Sequence, residues 1–461
     1  MSLVNLTPID ICVIVLYFSL ILFLGFKAKG KQAGTDDESF LLASRRLTLP
    51  FFVASIVATW YGNILGVGEF IYSSGLVGWV CFGIPYYISG ILFALFFADK
   101  IRDYGFRTLP EQIAHKFGET AGNVSSIIIL IITLPAAYVL MLGIIFQMFT
   151  GVSLGLSIVC VSIISLIYLF WGGFKADIWT NSAQFIVMYA GFFILLIFSM
   201  KQFGGIQTML DKLPAGHLTL TGNKSWQYVL GWFIISLQTF VDPSFHQRSA
   251  AVKSPKIAKK GLLWAVFFWI IFDMLTLFTG FYARANILGI EPLKAYPELS
   301  NAVLPPFYKG IFVIAILSVI MSTLDSYAFI SSATIGNDIL AKIFKKRFSV
   351  KFYTQIGLVI TSIFSIVLAL LIPSAIDLIY KTSSIAIPGL IFPTILTYTK
   401  KYDIDRSKII WIFLLPSLIS FLWIVIPAIF SVSPIVTNIE PMIPGILVAF
   451  LIGGLFIRKV K

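Results

Sequence analysis

Residues 60–69 read Trp60-Tyr61-Gly62-Asn63-Ile64-Leu65-Gly66-Val67-Gly68-Glu69. They sit inside an apolar run, 50–74, that is long enough to cross a bilayer. Yet the stretch holds three glycines, an amide and a carboxylate. Each glycine weakens a helix by about 1 kcal/mol relative to alanine. Gly62 and Gly66 form a GxxxG, so one reading is close helix packing. The other is a broken membrane helix whose freed carbonyls bind an ion or a solute, with Asn63 and Glu69 at the break.

The surrounding chain supports a membrane setting. Of 461 residues, 58% are hydrophobic and 12% charged, against about 25% charged in a soluble domain. Disorder needs low hydrophobicity and is excluded. A spanning helix takes about 20 apolar residues. On that ruler the spans are 8–26, 50–74, 78–99, 123–149, 154–172, 177–200, 226–246, 261–283, 310–340, 352–373, 376–399, 409–430 and 441–457, about thirteen in all. The fold class is therefore an all-α polytopic membrane protein. The first span lacks a basic n-region and a small-residue cleavage site, so it reads as a retained helix.

The net charge of +13 would suggest nucleic acid in a soluble protein. Here the basic residues follow the membrane instead. Alternate loops carry Lys27, Lys29, Lys31, Arg45 and Arg46, then Lys100, Arg102, Arg107 and Lys116, then Lys175. They continue with Arg248, Lys253, Lys256, Lys259 and Lys260, and with Lys342, Lys345, Lys346, Arg347 and Lys351. Lys400, Lys401, Arg406, Lys408, Arg458, Lys459 and Lys461 end the series. The opposite loops hold only Lys201, Lys212, Lys224, Arg284, Lys294 and Lys309. This bias predicts a cytoplasmic C-terminus and, with an odd span count, an outside N-terminus in the cell membrane. Cys12, Cys81 and Cys160 lie in apolar runs and read as packing residues rather than a disulfide or metal set. Thr108-Leu109-Pro110-Glu111 is a capping box, opening a surface helix with Leu109, Ile113 and Phe117 on one face. The loop 285–309 is proline-rich and long enough to act as a lid.

Polar groups inside spans are costly and mark function. Span seven ends Leu237-Gln238-Thr239-Phe240-Val241-Asp242-Pro243-Ser244. The proline kinks the helix, and Asp242 either lines a cavity there or pairs with Arg248. Span nine holds Val319-Ile320-Met321-Ser322-Thr323-Leu324-Asp325-Ser326. Spacing places Ser322, Asp325 and Ser326 on one face, with Thr323 beside them. These are hard oxygen donors, the type chosen by hard cations. In span six, Asp177, Asn181 and Gln184 share a face, suited to ligand binding or to interhelical hydrogen bonds. Asp273 and Lys381 are single intramembrane charges that pair with each other or with the groups above. The broken spans two and seven are five helices apart, as in an inverted-repeat transporter. Spans 2–11 then form the core.

These motifs resemble the sodium:solute symporter family, which includes proline, sialic acid and sodium/glucose symporters. The resemblance runs from about Ser44 to Thr399. It rests on Met321-Ser322-Thr323 with Asp338-Ile339, and on Phe70-Ile71 with Gly75. Thr108-Leu109-Pro110-Glu111, Trp179-Thr180 with Gln184, and Gln247-Arg248 with Ala250-Ala251-Val252-Lys253-Ser254 complete the set. It implies a five-plus-five, LeuT-like inverted-repeat core over 47–399, with repeats of about 47–200 and 225–399. A peripheral helix and linker (1–46) and two peripheral C-terminal helices (400–461) flank it. It also implies a sodium site made by the carbonyls of Gly62, Leu65 and Val319 and the hydroxyls of Ser322 and Thr323.

Two departures follow. Some members hold a second sodium with an Asp in a Thr-Asp motif, where this chain has Thr180-Asn181. Asp325 stands on span nine where those members carry a hydroxyl. The expectation is a second cation, sodium or proton, at Asp325, Ser326 and Asn181, the charge having moved from helix to helix. Sugar-carrying members have amides where this chain has Glu69 and Asp242. Paired acids suit a polar or cationic solute held by Glu69, Asp242, Gln238, Asn63, Trp60 and Tyr61. Trp60, Tyr61, Phe240 and Phe245 read as gate aromatics or as packing.

The expected function is sodium-coupled symport of a small polar solute by alternating access. Proton coupling through Asp325 and a transport-inactive solute sensor are the alternatives. Sensors usually carry a signalling domain after the core, whereas this chain stops at Lys461. No H-E-x-x-H, G-x-S-x-G or phosphate-cradling Gly-Lys loop occurs, so no enzyme chemistry is expected. Sodium is the one ion implied, with no other cofactor or metal. Solute, sodium and lipid are the expected partners, with no nucleic acid and no obligatory protein.

Overall fold

In a bilayer, long runs of Leu, Ile and Phe can satisfy their backbone groups only as helices or closed barrels. Helices make up almost all of this fold. The computed structural model describes residues 5–28, 37–345, 347–372, 375–430 and 439–459. Lys29, Lys31, Lys346 and Lys461 of the basic loops lie outside the described residues.

Among the described residues nine helices are long and apolar enough to cross a membrane. A tenth crossing is the pair Leu49–Trp60 and Ile64–Ser74, bent by 58°. Its break spans residues 61–63, at the Gly62 stretch. Four of the expected spans take other forms. Spans five and six run as one stretch, Leu154–Phe203, that turns at Gly173. Span seven is short: helix Trp226–Ile235 passes into a 3-10 turn, Ser236–Phe240. After Asp242 the helix Pro243–Ala251 follows. The last expected span is the 15-residue helix Met442–Phe456.

Span nine is the axis of the molecule. It runs as Tyr308–Ala333 and continues through a π-helical segment, Thr334–Leu340. Of its most apolar window, 89% is buried, against 22% for the first helix, Pro8–Ala28. It packs along Leu154–Phe203 and against Leu49–Trp60. The two C-terminal helices, Ile409–Ile429 and Met442–Phe456, pack on Ala375–Thr397. A short antiparallel pair, Tyr402–Ile404 with Ile457–Lys459, ties their ends together.

The Thr108 half of the capping box forms, while Glu111 Oε2 accepts the backbone N–H of Arg107 at 2.8 Å, one residue before the cap. The Thr108 side chain accepts the Glu111 N–H at 3.2 Å and starts the helix Leu109–Phe117. Leu109, Ile113 and Phe117 are buried. Thr108 Oγ1 also donates to Asp338 Oδ1 at 2.9 Å, joining this helix to the end of span nine. The loop 285–309 contains a helix, Ala295–Val303, that anchors it. Its Tyr296 is buried, and the hydroxyl donates to the Thr276 carbonyl at 3.0 Å.

Gly173 has φ 56° and ψ −152°, a region essentially reserved for glycine. A Cβ there would lie 2.6 Å from the Phe40 ring. Gly173→Ala is therefore expected to cost about 1–3 kcal/mol. The check is a thermal melt in detergent; an unchanged melting temperature would contradict this account of the turn.

Candidate functional site

The break in span two sets the site. The last carbonyls of a helix have no partner within it. Ala58 and Thr59 lie in the last turn of Leu49–Trp60. Their carbonyls meet the hydroxyls of span nine instead. Ser322 Oγ donates to Ala58 O at 2.8 Å and lies 2.9 Å from Val319 O. Thr323 Oγ1 donates to Thr59 O at 2.8 Å and lies 3.4 Å from Val319 O. Both hydroxyl residues are buried. Gly62 lies against this pair: a Cβ on it would fall 2.6 Å from Thr323 Cβ. Thus Val319, Ser322, Thr323 and Gly62 do come together, and Leu65 is buried on the far side of the break. The carbonyls that meet the two hydroxyls belong to Ala58 and Thr59, about one turn earlier than Gly62 and Leu65. The sequence signal for them was their place in the last turn before a glycine break.

One turn along span nine, Ser326 enters a second cluster. Ser326 Oγ donates to Asp177 Oδ1 at 2.7 Å. Asn181 Nδ2 donates to the same oxygen at 3.0 Å and to Ser326 Oγ at 3.0 Å. Arg248 Nη2 lies 3.0 Å from Asp177 Oδ2, 2.7 Å from Ser326 Oγ and 2.8 Å from Thr59 Oγ1. Arg248 and Asp177 both have side chains 0% exposed. Arg248 therefore pairs with Asp177, not with Asp242.

Asp325 does not join either cluster. Its carboxylate accepts from the Tyr168 hydroxyl on span five. Successive helix residues are about 100° apart, so Ser326 and Asp325 face different neighbours although both neighbour Ser322 in spacing. Asn181 and Ser326 do meet, but the carboxylate beside them is Asp177. The charge lies one turn along the same helix from the Thr180-Asn181 position, rather than across the site on span nine.

A cavity of about 500 Å³ opens beside the break. Trp60, Tyr61, Asn63, Glu69, Gln238 and Asp242 all line it. Asp273, unassigned in the sequence reading, is a further lining residue. Its carboxylate accepts from the Tyr87 hydroxyl. Asp242 Oδ1 caps the helix Pro243–Ala251 by accepting the Ser244 N–H at 2.8 Å, and Oδ2 accepts from Tyr327 at 2.7 Å. Gln238 Nε2 donates to Tyr86 at 2.8 Å. Tyr86, Tyr138 and Tyr327 add aromatic walls. The Trp60 ring lies with its centroid 5.1–5.3 Å from those of Tyr86, Trp269 and Phe245, edge-on to Tyr86 and Phe245 and tilted against Trp269. Phe240 and Phe245 are buried in this aromatic packing rather than lining the cavity.

Comparison with known proteins places this geometry in context. The model of the sodium:solute symporter family matches residues 40–401. A high-affinity choline transporter of Drosophila melanogaster is 24% identical over 83% of this chain and 65% of its own length. This chain thus spans less than two thirds of that relative. A sodium/glucose cotransporter of Vibrio parahaemolyticus is 26% identical over 70% of this chain and 67% of its own length. Among solved structures, a substrate-bound, outward-open Na+-coupled sialic acid symporter superposes with a TM-score of 0.79 at 14% identity. That match covers 99% of this chain and 100% of the other, and it establishes the fold.

Proposed function

This chain belongs to the sodium:solute symporter family, and from that premise we propose that it carries a small organic cation across the cell membrane together with sodium. The observation that carries this reading is the cavity beside the broken helix. It gathers the carboxylates of Glu69, Asp242 and Asp273 among tryptophan and tyrosine faces. Carboxylates attract a positive charge, and aromatic faces add cation–π attraction of about 0.5–2 kcal/mol each. A quaternary or protonated amine with small apolar substituents suits both. The fly relative named for choline agrees with that chemistry.

Sodium in this reading is cargo held between spans two and nine. Val319 O and the hydroxyls of Ser322 and Thr323 supply one side; backbone carbonyls at the break supply the other. Ion binding replaces the two hydroxyl-to-carbonyl hydrogen bonds described above with shared coordination. It therefore favours the conformation in which the two spans stay together. An ion that bound every conformation equally would drive nothing. The repeats, 47–200 and 225–399, then rock about the site and release both cargoes to the cytoplasmic side, where the basic loops and the C-terminus lie.

The test uses purified protein in liposomes, with radiolabelled choline and proline as probes. Choline is expected to accumulate under an inward sodium gradient and not under a proton gradient alone. Accumulation of proline without choline would overturn the cationic class. Uptake driven by protons without sodium would return the coupling to Asp325. Asp242→Asn keeps an N-cap oxygen but removes the charge. At about 1.5–3 kcal/mol for a contact to a charged group, it is expected to raise the KM for the cation at least about tenfold. An unchanged KM would remove Asp242 from the binding set.

A further inference from the structure

The cluster around Arg248 is built like a cation site with its cation already in place. Oxygens of Thr59, Asp177 and Ser326, from spans two, six and nine, all lie within 3.0 Å of one nitrogen, Arg248 Nη2. A guanidinium Nη carries only two hydrogens. Three oxygens at 2.7–3.0 Å around it are therefore arranged about a point of positive charge, rather than about the planar fork that arginine usually offers a carboxylate. The rest of the fork is unused: Arg248 Nε and Nη1 have no hydrogen-bond partner among the described residues, and the group rests over the Phe174 ring at 5.7 Å. Asn181 Oδ1 is a fourth buried oxygen at the cluster, without a partner among the described residues.

We propose that this cluster is a monovalent-cation site permanently filled by the chain's own guanidinium, so that the protein couples to a single free sodium. Arg248 is carried on the helix Pro243–Ala251, every residue of which is buried. The tethered charge neutralises Asp177 without drawing on the sodium gradient. It also joins the end of span seven to spans two, six and nine in the conformation seen here. Removing the guanidinium while keeping Asp177 leaves a cage of one carboxylate, two hydroxyls and an amide that can present its oxygen. Those are the hard donors that a sodium ion takes.

The proposal rests on the sodium reading of Ser322 and Thr323, and its test separates the two. Purified protein is titrated with radiolabelled sodium alone, and bound ion per chain and the Hill slope are read. The wild type is expected to bind about one ion with a Hill slope of about one. Arg248→Gln is expected to bind about two, the added ion being lost again in Asp177→Asn/Arg248→Gln. Two ions bound by the wild type would overturn the proposal, whether or not the variants fold. An Arg248→Gln protein that folds and binds no additional ion would overturn it as well. Absence of any bound sodium in the wild type, with one ion gained in Arg248→Gln, would support the tethered cation and sink the reading of Ser322 and Thr323 instead. The double variant is electrically neutral at the cluster and serves as the folding control.

Discussion

Replacing Ser322 and Thr323 together by alanine is expected to abolish the sodium response while the protein still inserts and folds. The two hydroxyls stand 2.8 Å from the carbonyls of Ala58 and Thr59, so each is already aimed at the gap between spans two and nine. Losing a contact to a charged group costs about 1.5–3 kcal/mol. Two such losses weaken sodium binding at least about a hundredfold. The carbonyls left behind belong to a helix end and carry no net charge, so they cannot compensate. The check is a sodium titration of thermal stability, since a ligand of the folded state raises its apparent stability by mass action. An unchanged midpoint in the double variant would refute the site. Loss of all folded protein is not expected, because alanine suits a helix interior and the hydroxyls are replaced in place.

The second large effect concerns the buried pair. Asp177→Asn would leave the Arg248 guanidinium, 0% exposed, without its counter-charge. Stranding a buried charge in this way costs about 3–5 kcal/mol. Asp177→Asn/Arg248→Met is expected to recover most of that loss, because removing both charges of a buried pair is often neutral or stabilising. The measurement is unfolding of detergent-solubilised wild type, both single variants and the double, closed as a thermodynamic cycle. A single variant Asp177→Asn as stable as the wild type would mean that the pair holds no net charge. Asp325→Asn is the useful contrast. Its carboxylate faces the Tyr168 hydroxyl and, among the described residues, no arginine, so the amide removes a hydrogen-bond acceptor site and strands no cation.

Much of this was legible along the chain. The break in span two could be read from Gly62, Gly66 and Gly68, because glycine is penalised in a helix wherever it occurs. The Thr108 cap could be read because a capping box is a contact across three residues. The six proposed solute-contacting residues line one cavity for a similar reason: they cluster at two breaks that the sequence marks locally, with glycine in span two and with Pro243 in span seven. Asp273 was visible as a costly intramembrane charge, but its place on the cavity depends on which face of span eight meets span two.

The facing of span nine was less legible. Ser322, Asp325 and Ser326 recur at helical spacing, and spacing alone gives them one face. In the fold span nine is surrounded, so neighbouring sectors of the same helix meet different partners. Ser322 meets span two, Ser326 meets Asp177 and Arg248, and Asp325 meets Tyr168. A helix buried on all sides has no outward face to set its rotation, and hydrophobic periodicity then carries little information. The pairing of Arg248 with Asp177 rather than Asp242 was hidden for the same reason, since the two residues lie 71 positions apart.

By itself, the sequence determined the membrane setting, the helix breaks, the local caps and the family resemblance. Each of these is a property of composition or of residues within one or two turns. Only the tertiary structure decided which carbonyls meet Ser322 and Thr323, which acid neutralises Arg248, and where Asp325 points. Those outcomes follow from packing among five spans, where a rotation of about 100° exchanges one partner for another at no cost that the local sequence records.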